Sequence, residues 1–228
     1  MTLRAQRRNN SAMSICEFRF HGHALVARPS GALYWPAEGA LVVADLHLGK
    51  SERMARRGGA LLPPFETQAT LERLDTDLCA VKAQRLILLG DSFDDDRADL
   101  GAAQGLLDAI CARTETVWIT GNHDPAREAL PGRSVSALDI GGVSLRHIAG
   151  QGPDISGHYH PKFRISGQRR PAFLLGQAHL ILPAFGTYTG GLDHDAAPLA
   201  GLVPQGCAIL TGQSARMVPI DHTRRRRL

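Results

Sequence analysis

Seven candidate metal ligands fall into five short clusters along this sequence. Three clusters each follow a short apolar run, and two lie in the second half of the chain. In chain order the residues are Asp45, His47, Asp91, Asn122, His147, His158 and His160. Because the set has carboxylates, imidazoles and an amide but no thiolate, it favours manganese, iron or zinc over a structural cysteine site.

The spacing of two pairs supports the metal interpretation. Asp45 and His47 lie two residues apart, and His158 and His160 repeat that spacing. In an extended backbone, side chains two residues apart point to the same side, so each pair could chelate one ion. Any one cluster could instead be a turn carboxylate or a surface histidine. The ordered combination of all five favours a metal site.

Seven candidate ligands are too many for one tetrahedral ion, and they predict two ions with Asp91 as the bridging carboxylate. Paired metal ions about 3.5–4 Å apart polarise a phosphoryl group and lower the pKa of bridging water toward neutrality. The predicted nucleophile is therefore a metal-bridging hydroxide, and no serine or cysteine nucleophile is needed. This chemistry is phosphoester hydrolysis.

The elements that must position the first three clusters alternate between strand and helix. Apolar runs and leucine spacing predict a hairpin with a third strand at residues 18–35, strands at 41–44, 85–89 and 116–120, a loop at 51–65, and helices at 71–81 and 100–111. Alternation of this kind indicates an α/β protein with a mostly parallel sheet, in which the carboxyl ends of the strands line the ligand crevice. After Pro131, short β-like runs without a strong helix signal predict a second sheet packed on the first; the runs span residues 143–146, 155–156, 172–175, 180–182, 208–210 and 215–220.

Composition limits the class of protein. With 228 residues, 43% of them hydrophobic, the chain predicts a disordered lead-in over residues 1–14, one domain over 15–222 and a basic tail over 223–228. The four cysteines form no CxxC pair and are expected to be reduced thiols. No apolar run approaches the roughly 20 residues of a membrane helix, and no signal peptide is apparent. We therefore expect a cytoplasmic protein without a membrane partner.

In these residues the chain resembles the calcineurin-like metallophosphoesterase superfamily, whose signature blocks occur in the same order from about Asp45 to His160. The resemblance implies a four-layer α/β sandwich with two central mixed β-sheets flanked by helices. It implies one metal held by Asp45, His47, Asp91 and His160, and another held by Asp91, Asn122, His147 and His158. It also implies that His123 faces the scissile phosphate and aids departure of the leaving oxygen, with Asp124 orienting its imidazole.

Residues 41–50 and 182–192 are similar to the bacterial ligase-associated metallophosphoesterases, a group of DNA damage response endonucleases. This narrower likeness implies manganese dependence, cleavage of single-stranded DNA, a role in DNA repair, and functional association with a DNA ligase and a helicase. The chain departs from the pattern at Asp94–Asp96, because that family has a histidine shortly after the Gly-Asp pair. The acids could alter phosphate binding or metal choice, or they could cap the following helix.

The candidates for substrate contact lie beside the metal clusters: Lys50, Arg53, Arg56, Arg57 and Tyr159. A solvated basic loop explains the arginines equally well. Few aromatic residues are available for base stacking, so sequence-specific recognition is not expected. The leading hypothesis is a manganese-dependent endonuclease that cuts single-stranded DNA. The alternatives are a small-molecule or nucleotide phosphoesterase with the same metal centre, and a non-enzymatic scaffold that keeps the fold.

Overall fold

A computed structural model describes residues 14–59, 63, 65–95, 98, 100–122 and 130–220. Apart from Ser14, the expected lead-in lies outside these residues, and so does the basic tail. In the described part, no helix is long and apolar enough to cross a bilayer. All four cysteines are free, as expected.

The first sheet contains seven strands in sequential order. They are β1 (Cys16–Phe20), β2 (His23–Ala27), β3 (Leu33–Trp35), β4 (Ala40–Val43), β5 (Arg85–Leu89), β6 (Glu115–Ile119) and β7 (Arg133–Val135). The strands from β1 to β4 pair antiparallel, and those from β4 to β7 pair parallel. The sheet is therefore mixed rather than mostly parallel, because the hairpin at the start of the chain joins it.

Four α-helices belong to the described part: α1 (Lys50–Arg56), α2 (Glu66–Val81), α3 (Gln104–Arg113) and α4 (Ala197–Leu202). Helices α2 and α3 confirm the two helices that the leucine spacing predicts. Helix α1 corrects the expectation of a loop over residues 51–65, and α4 is a helix in the second half, where the sequence shows no strong helix signal. Both are short, with seven and six residues, so neither contains enough turns to show a helical period.

The second sheet has eight strands, with the order β15-β14-β12-β13-β10-β9-β8 and β11 paired to β12. They are β8 (Ala137–Ile140), β9 (Val143–Arg146), β10 (Asp154–Ser156), β11 (Lys162–Ile165), β12 (Gln168–Leu175), β13 (His179–Ile181), β14 (Gly206–Leu210) and β15 (Arg216–Ile220). The sequence predicts most of these strands but not β8 or β11, nor β7 of the first sheet. These three have few fully buried residues, so they show no apolar run.

Alternating side chains of the strands separate the core into three apolar clusters. Ile87 and Leu89 of β5 point into the cluster between the two sheets, together with Phe173 of β12. Leu86 and Leu88 point to the other side, where the leucines of α2 and α3 pack. On the far side of the second sheet, residues of β12 and β14 pack against Leu199 and Val203 at α4. The layers are thus helix, sheet, sheet and helix, which confirms the predicted four-layer sandwich.

Candidate metal centre

Loops at the carboxyl ends of strands from both sheets carry the candidate ligands. Asp45 and His47 follow β4, and Asp91 follows β5, while the histidines follow β9 and β10 of the second sheet. Main-chain hydrogen bonds hold these loops together: Asp45 donates to the carbonyl of Gly90, and His47 donates to that of Asp91. The predicted convergence of sequence-distant clusters is therefore observed.

One group of possible ligands consists of Asp45, His47 and His160, each offering one atom within 4.8 Å of the others. The Nε2 atoms of His47 and His160 lie 3.3 Å apart. Nε2 of His160 is also 3.4 Å from Oδ1 of Asp45. Two imidazole lone pairs and a carboxylate oxygen thus converge on a space that a cation could occupy.

A second group consists of Asp91, His147 and His158, with the same limit of 4.8 Å between ligand atoms. Here Nδ1 of His158 lies 3.1 Å from Nε2 of His147. Nε2 of His147 is also 3.4 Å from Oδ2 of Asp91. The arrangement repeats that of the first group, so the described residues contain two groups that could each hold a divalent metal.

Asp45 links the two groups. Its Oδ2 accepts a hydrogen bond of 2.9 Å from the main-chain N–H of His158, and its Oδ1 lies 3.8 Å from Nδ1 of His147. Asp91 belongs to the second group, and its predicted role as the bridging carboxylate stays a prediction. The same is true of the implied assignment of each ligand to one metal or the other.

The donor atoms fit divalent cations. Oδ1 of Asp45 is buried and accepts no hydrogen bond from the residues that the structure describes. A buried carboxylate oxygen without a hydrogen bond is costly unless a cation neutralises it. The facing imidazole nitrogens would also need either a shared proton or a cation between them. Mixed oxygen and nitrogen donors of this kind suit manganese, iron or zinc.

Five of the seven predicted ligands have a left-handed backbone, with φ of 53° at Asp45, 47° at His47, 48° at Asp91, 69° at His158 and 47° at His160. The expectation that Asp45 and His47 chelate from an extended backbone is therefore wrong in its geometry. A positive φ costs an ordinary residue about 1–2 kcal/mol, although Asp and His tolerate it better than most. Such strain concentrated at one set of residues is typical of a functional site.

Two glycines allow the loops to approach the ligands closely. A Cβ atom at Gly121 would overlap the main-chain nitrogen and the carboxylate of Asp91. At Gly157, a Cβ would lie 2.6 Å from Oδ2 of Asp45. Any side chain at these positions would displace a carboxylate of the centre, which explains why glycine precedes the Asn122 and His158 blocks.

A main-chain carbonyl fixes the orientation of the His147 ring. Nδ1 of His147 is 2.8 Å from the carbonyl oxygen of Leu89. Because a carbonyl only accepts, Nδ1 carries the proton and Nε2 keeps its lone pair for a metal. Burial alone would lower the pKa of His147, but Asp91, the Leu89 carbonyl and Asp45 raise it. At His158, by contrast, burial and the neighbouring His147 lower the pKa.

Asp94 contacts the candidate metal centre in a way that the sequence does not reveal. Its buried carboxylate lies 3.1 Å from Nδ1 of His47, and it also pairs with Arg53 and lies 4.0 Å from Nζ of Lys50. Burial alone would raise the pKa of Asp94, but His47, Lys50 and Arg53 outweigh it and keep that pKa low. A carboxylate on Nδ1 directs Nε2 toward the metal position, as in many metal sites.

The proposed capping role of the acids is wrong for Asp94 and Asp95. Their carboxylates bind side chains of the metal centre and of α1, and no side chain among the described residues caps α3. Asp96 lies outside the described residues. Two signals point to Asp94: the departure from the family pattern at this position, and its spacing three residues after Asp91 on the loop that pairs with the Asp45 loop.

The candidate substrate residues have different surroundings. Arg53 pairs with Asp94, and Arg56 pairs with both Glu52 and Asp95, so these two arginines are already neutralised. Lys50 lies at the start of α1, and Arg57 is exposed just after it. Tyr159 packs edge-on against His158, with the ring centres 5.0 Å apart. Their contact with substrate stays a prediction.

Asn122 follows β6, where it is exposed and lines a cavity of about 370 Å³ together with His147. This places it on the side of the second group, and its role as a ligand stays a prediction. His123 and Asp124 lie outside the described residues. Their implied roles at the leaving group therefore also stay predictions.

The four layers and the paired ligand groups are consistent with a calcineurin-like metallophosphoesterase, and they support a metal-dependent phosphoesterase. Among solved structures it is similar to the Pseudomonas putida nuclease MPE, with 29% identity, a TM-score of 0.70, and coverage of 91% of this chain and 100% of that one. The resemblance inferred from the ordered motifs is thereby confirmed at the level of the superfamily.

Two further solved structures match less closely. The phosphoesterase Yfce from E. coli is 16% identical, with a TM-score of 0.44 over 80% of this chain and 99% of that one. A conserved protein from Streptococcus pneumoniae TIGR4, described as a predicted phosphoesterase, is 14% identical, with a TM-score of 0.34 over 79% and 97%. No family model and no curated protein matches the sequence.

Proposed function

We propose that this protein is a phosphodiesterase that cuts nucleic acid, with single-stranded DNA as its substrate and no sequence specificity. The observation that carries the proposal is the similarity to the Pseudomonas putida nuclease over 91% of the chain. Two divalent metal ions, with manganese as the first candidate, would supply Lewis acidity and an activated water at the centre.

The residues of the chain act by positioning. Nδ1 of His47 lies 3.1 Å from the Asp94 carboxylate, and Nδ1 of His147 is held by the Leu89 carbonyl, so their Nε2 atoms face the two metal positions. Asp45 joins the loops of both sheets through the N–H of His158. Fixed donors of this kind need little reorganisation during the reaction. His123 and Asp124 complete the proposal as the pair that assists the leaving oxygen.

A role in DNA repair, alongside a DNA ligase and a helicase in the cytoplasm, forms the broader part of the proposal. It rests on the likeness of residues 41–50 and 182–192 to the ligase-associated metallophosphoesterases. Main-chain bonds from Phe185 to the carbonyl of Ala44 and from Gly186 to that of Asp45 connect these two segments at the metal centre. The two segments that resemble the ligase-associated family therefore both belong to the metal centre.

The purified protein with Mn²⁺ should cut single-stranded DNA, and Asp91→Asn and His123→Ala should each lower the rate at least about a hundredfold. A metal that stabilises transition-state charge contributes several kcal/mol, and each 1.36 kcal/mol is a factor of ten. Product gels and metal analysis of the same samples measure both effects. Asp139→Asn, an exposed carboxylate of β8, is the control and should cut DNA normally.

Other results would select the alternatives. Intact DNA together with rapid hydrolysis of phosphomonoesters or nucleotides would indicate a small-molecule phosphoesterase with the same centre. Less than one metal ion per chain, with no hydrolysis of a generic aryl phosphodiester, would indicate a scaffold without enzymatic activity.

A further inference from the structure

A second cavity, of about 610 Å³, lies next to the metal centre and contains three cations. Arg73 of α2, Lys162 of β11 and Arg170 of β12 line it, together with several hydroxyl side chains. We call it the basic cleft. Its volume lies within the range of sites that hold a small ligand.

Each of the three cations is fixed in place by a main-chain carbonyl. Arg73 donates to the carbonyl of Phe185, Arg170 to that of Thr211, and Lys162 to that of Thr189 at 3.1 Å. A guanidinium has five N–H donors and an ammonium has three. One bond to a carbonyl orients each side chain and leaves further donors for an anion.

Within the described part of the chain, none of these three cations forms an ion pair with a carboxylate. Asp77 is the carboxylate that lines the cleft, and it is bound to the buried Arg28 at 2.5 Å. Nε of Arg73 is buried and has no hydrogen-bond partner among these residues. Burial lowers the pKa of Arg73, although Asp77 opposes this, and an arginine remains charged at neutral pH. The cleft therefore holds positive charge that its own side chains do not neutralise.

The cleft is joined to the metal centre through the backbone. Its lining residue Gly186 donates to the carbonyl of Asp45 at 3.1 Å, and Phe185 donates to that of Ala44 at 2.8 Å. Lys162 follows the candidate ligand His160 by two residues. The lining of the cleft is therefore bonded directly to the loop that carries Asp45.

The lining also indicates which part of a ligand is recognised. Phe185 is the aromatic residue of the cleft, and it is buried with the guanidinium of Arg73 4.5 Å above its ring. That ring face is thus occupied and cannot stack on a base. Arginine and lysine commonly contact phosphate oxygens, and the described lining residues offer no free aromatic face on which a base could stack.

We infer that the basic cleft binds a phosphate of the nucleic-acid strand other than the phosphate at the metal centre. This inference rests on the proposed function, and it identifies the substrate as a polymer that needs at least two phosphates in contact. It also accounts for cleavage without sequence specificity, because the contacts are to the backbone.

The test measures binding of the full-length, Mn²⁺-loaded protein to a fluorescent 12-residue thymidine strand with phosphorothioate linkages, which resist hydrolysis and keep the charge. Lys162→Gln and Arg170→Gln should each weaken binding about tenfold, as expected for one charge-assisted hydrogen bond. Each should also reduce the slope of log K against log salt by about 0.7. Arg170→Lys keeps the cation and should retain the wild-type salt slope.

Arg164→Gln is the matched control. Arg164 lies on β11 two residues from Lys162 and loses the same charge, but it is exposed and pairs with Asp193 at 3.0 Å. It should bind the strand as the wild type does. Equal losses for Arg164→Gln and Lys162→Gln, or no loss for either cleft variant, would overturn the inference. Thermal unfolding of each variant checks that the fold is retained.

Two more measurements complete the test. The first distinguishes a phosphate of the strand from free phosphate, and the second distinguishes failure of this inference from failure of the proposed function. Inorganic phosphate at constant ionic strength should displace the strand only weakly, and complete displacement below about 1 mM would identify a free-phosphate site instead. If the wild type cuts single-stranded DNA but the cleft variants bind normally, the inference fails alone. If the strand binds through the cleft but is never cut, the proposed function fails alone.

Discussion

Two groups of basic side chains flank the metal centre, and they differ in what surrounds their charge. On helix α1, Arg53 pairs with Asp94 and Arg56 pairs with Glu52 and Asp95. In the basic cleft, Arg73, Lys162 and Arg170 donate to main-chain carbonyls instead. The first group is neutralised within the protein, whereas the second keeps its charge for a ligand.

The difference shows why a count of arginines is a poor guide to a nucleic-acid site. The arginines of α1 are prominent in the sequence because they stand directly after the first metal block. Two of their acidic partners, Asp94 and Asp95, come about 40 residues later, and the Asp94 carboxylate also lies 3.1 Å from Nδ1 of His47. These arginines therefore contribute to the metal centre through Asp94, while the cleft cations are better placed to attract an anion.

The largest effect is expected for Asp77, the carboxylate that lines the basic cleft. Asp77→Ala should lower the free energy of unfolding by about 3–5 kcal/mol, because it leaves the buried Arg28 without its counter-charge. Urea unfolding of the metal-loaded protein measures this. A small loss would mean that another group neutralises Arg28. Asp77 would then be available to neutralise the cleft cations, and these would resemble the paired arginines of α1.

The matched control lies on the same helix. Asp75 of α2 pairs with Arg113, and both side chains are partly exposed. Asp75→Ala should therefore cost less than about 1 kcal/mol. Equal losses at Asp75 and Asp77 would show that the helix, rather than the buried ion pair, responds to the substitution.

A smaller effect is expected for Asp94, which contacts both α1 and the metal centre. Asp94→Asn should weaken Mn²⁺ binding about 10- to 100-fold, because an amide holds the His47 ring less strongly than a carboxylate. Titration calorimetry with Mn²⁺ gives the affinity without any activity measurement. Asp95→Asn, which alters the carboxylate paired with Arg56, should bind Mn²⁺ almost normally. Unchanged affinity in Asp94→Asn would remove this acid from the metal centre.

Much of the fold could be predicted from the sequence, because buried elements show in the order of apolar residues. The strands β5 and β9 have the predicted bounds, and α2 covers the predicted leucines. The strands that were not predicted, β7, β8 and β11, are poorly buried and pair through their backbones. Backbone pairing without burial leaves little trace in the residue types.

The candidate site could also be predicted only in part, because its residue types are visible in the sequence and its backbone geometry is not. Six of the seven predicted ligands fall into the two groups, because carboxylates and imidazoles at strand ends are visible as residue types. The left-handed backbone at Asp45 and His47 could not be predicted, since it depends on pairing with the loop after β5. Arg73 gives no signal either, because a lone arginine on an amphipathic helix looks like any solvated residue.

The smallest effect is expected at the arginines of α1. Arg56→Gln should change the affinity for the thymidine strand less than about twofold at 0.15 M salt, because its charge is already paired and the remainder is screened. Lys162→Gln, with the same loss of charge, should weaken binding about tenfold in the same titration. A loss at Arg56 as large as that at Lys162 would show that its ion pairs open when the strand binds. The two sides of the metal centre would then form one continuous surface for nucleic acid, and the pairing in the free protein would not decide which cations contact phosphate.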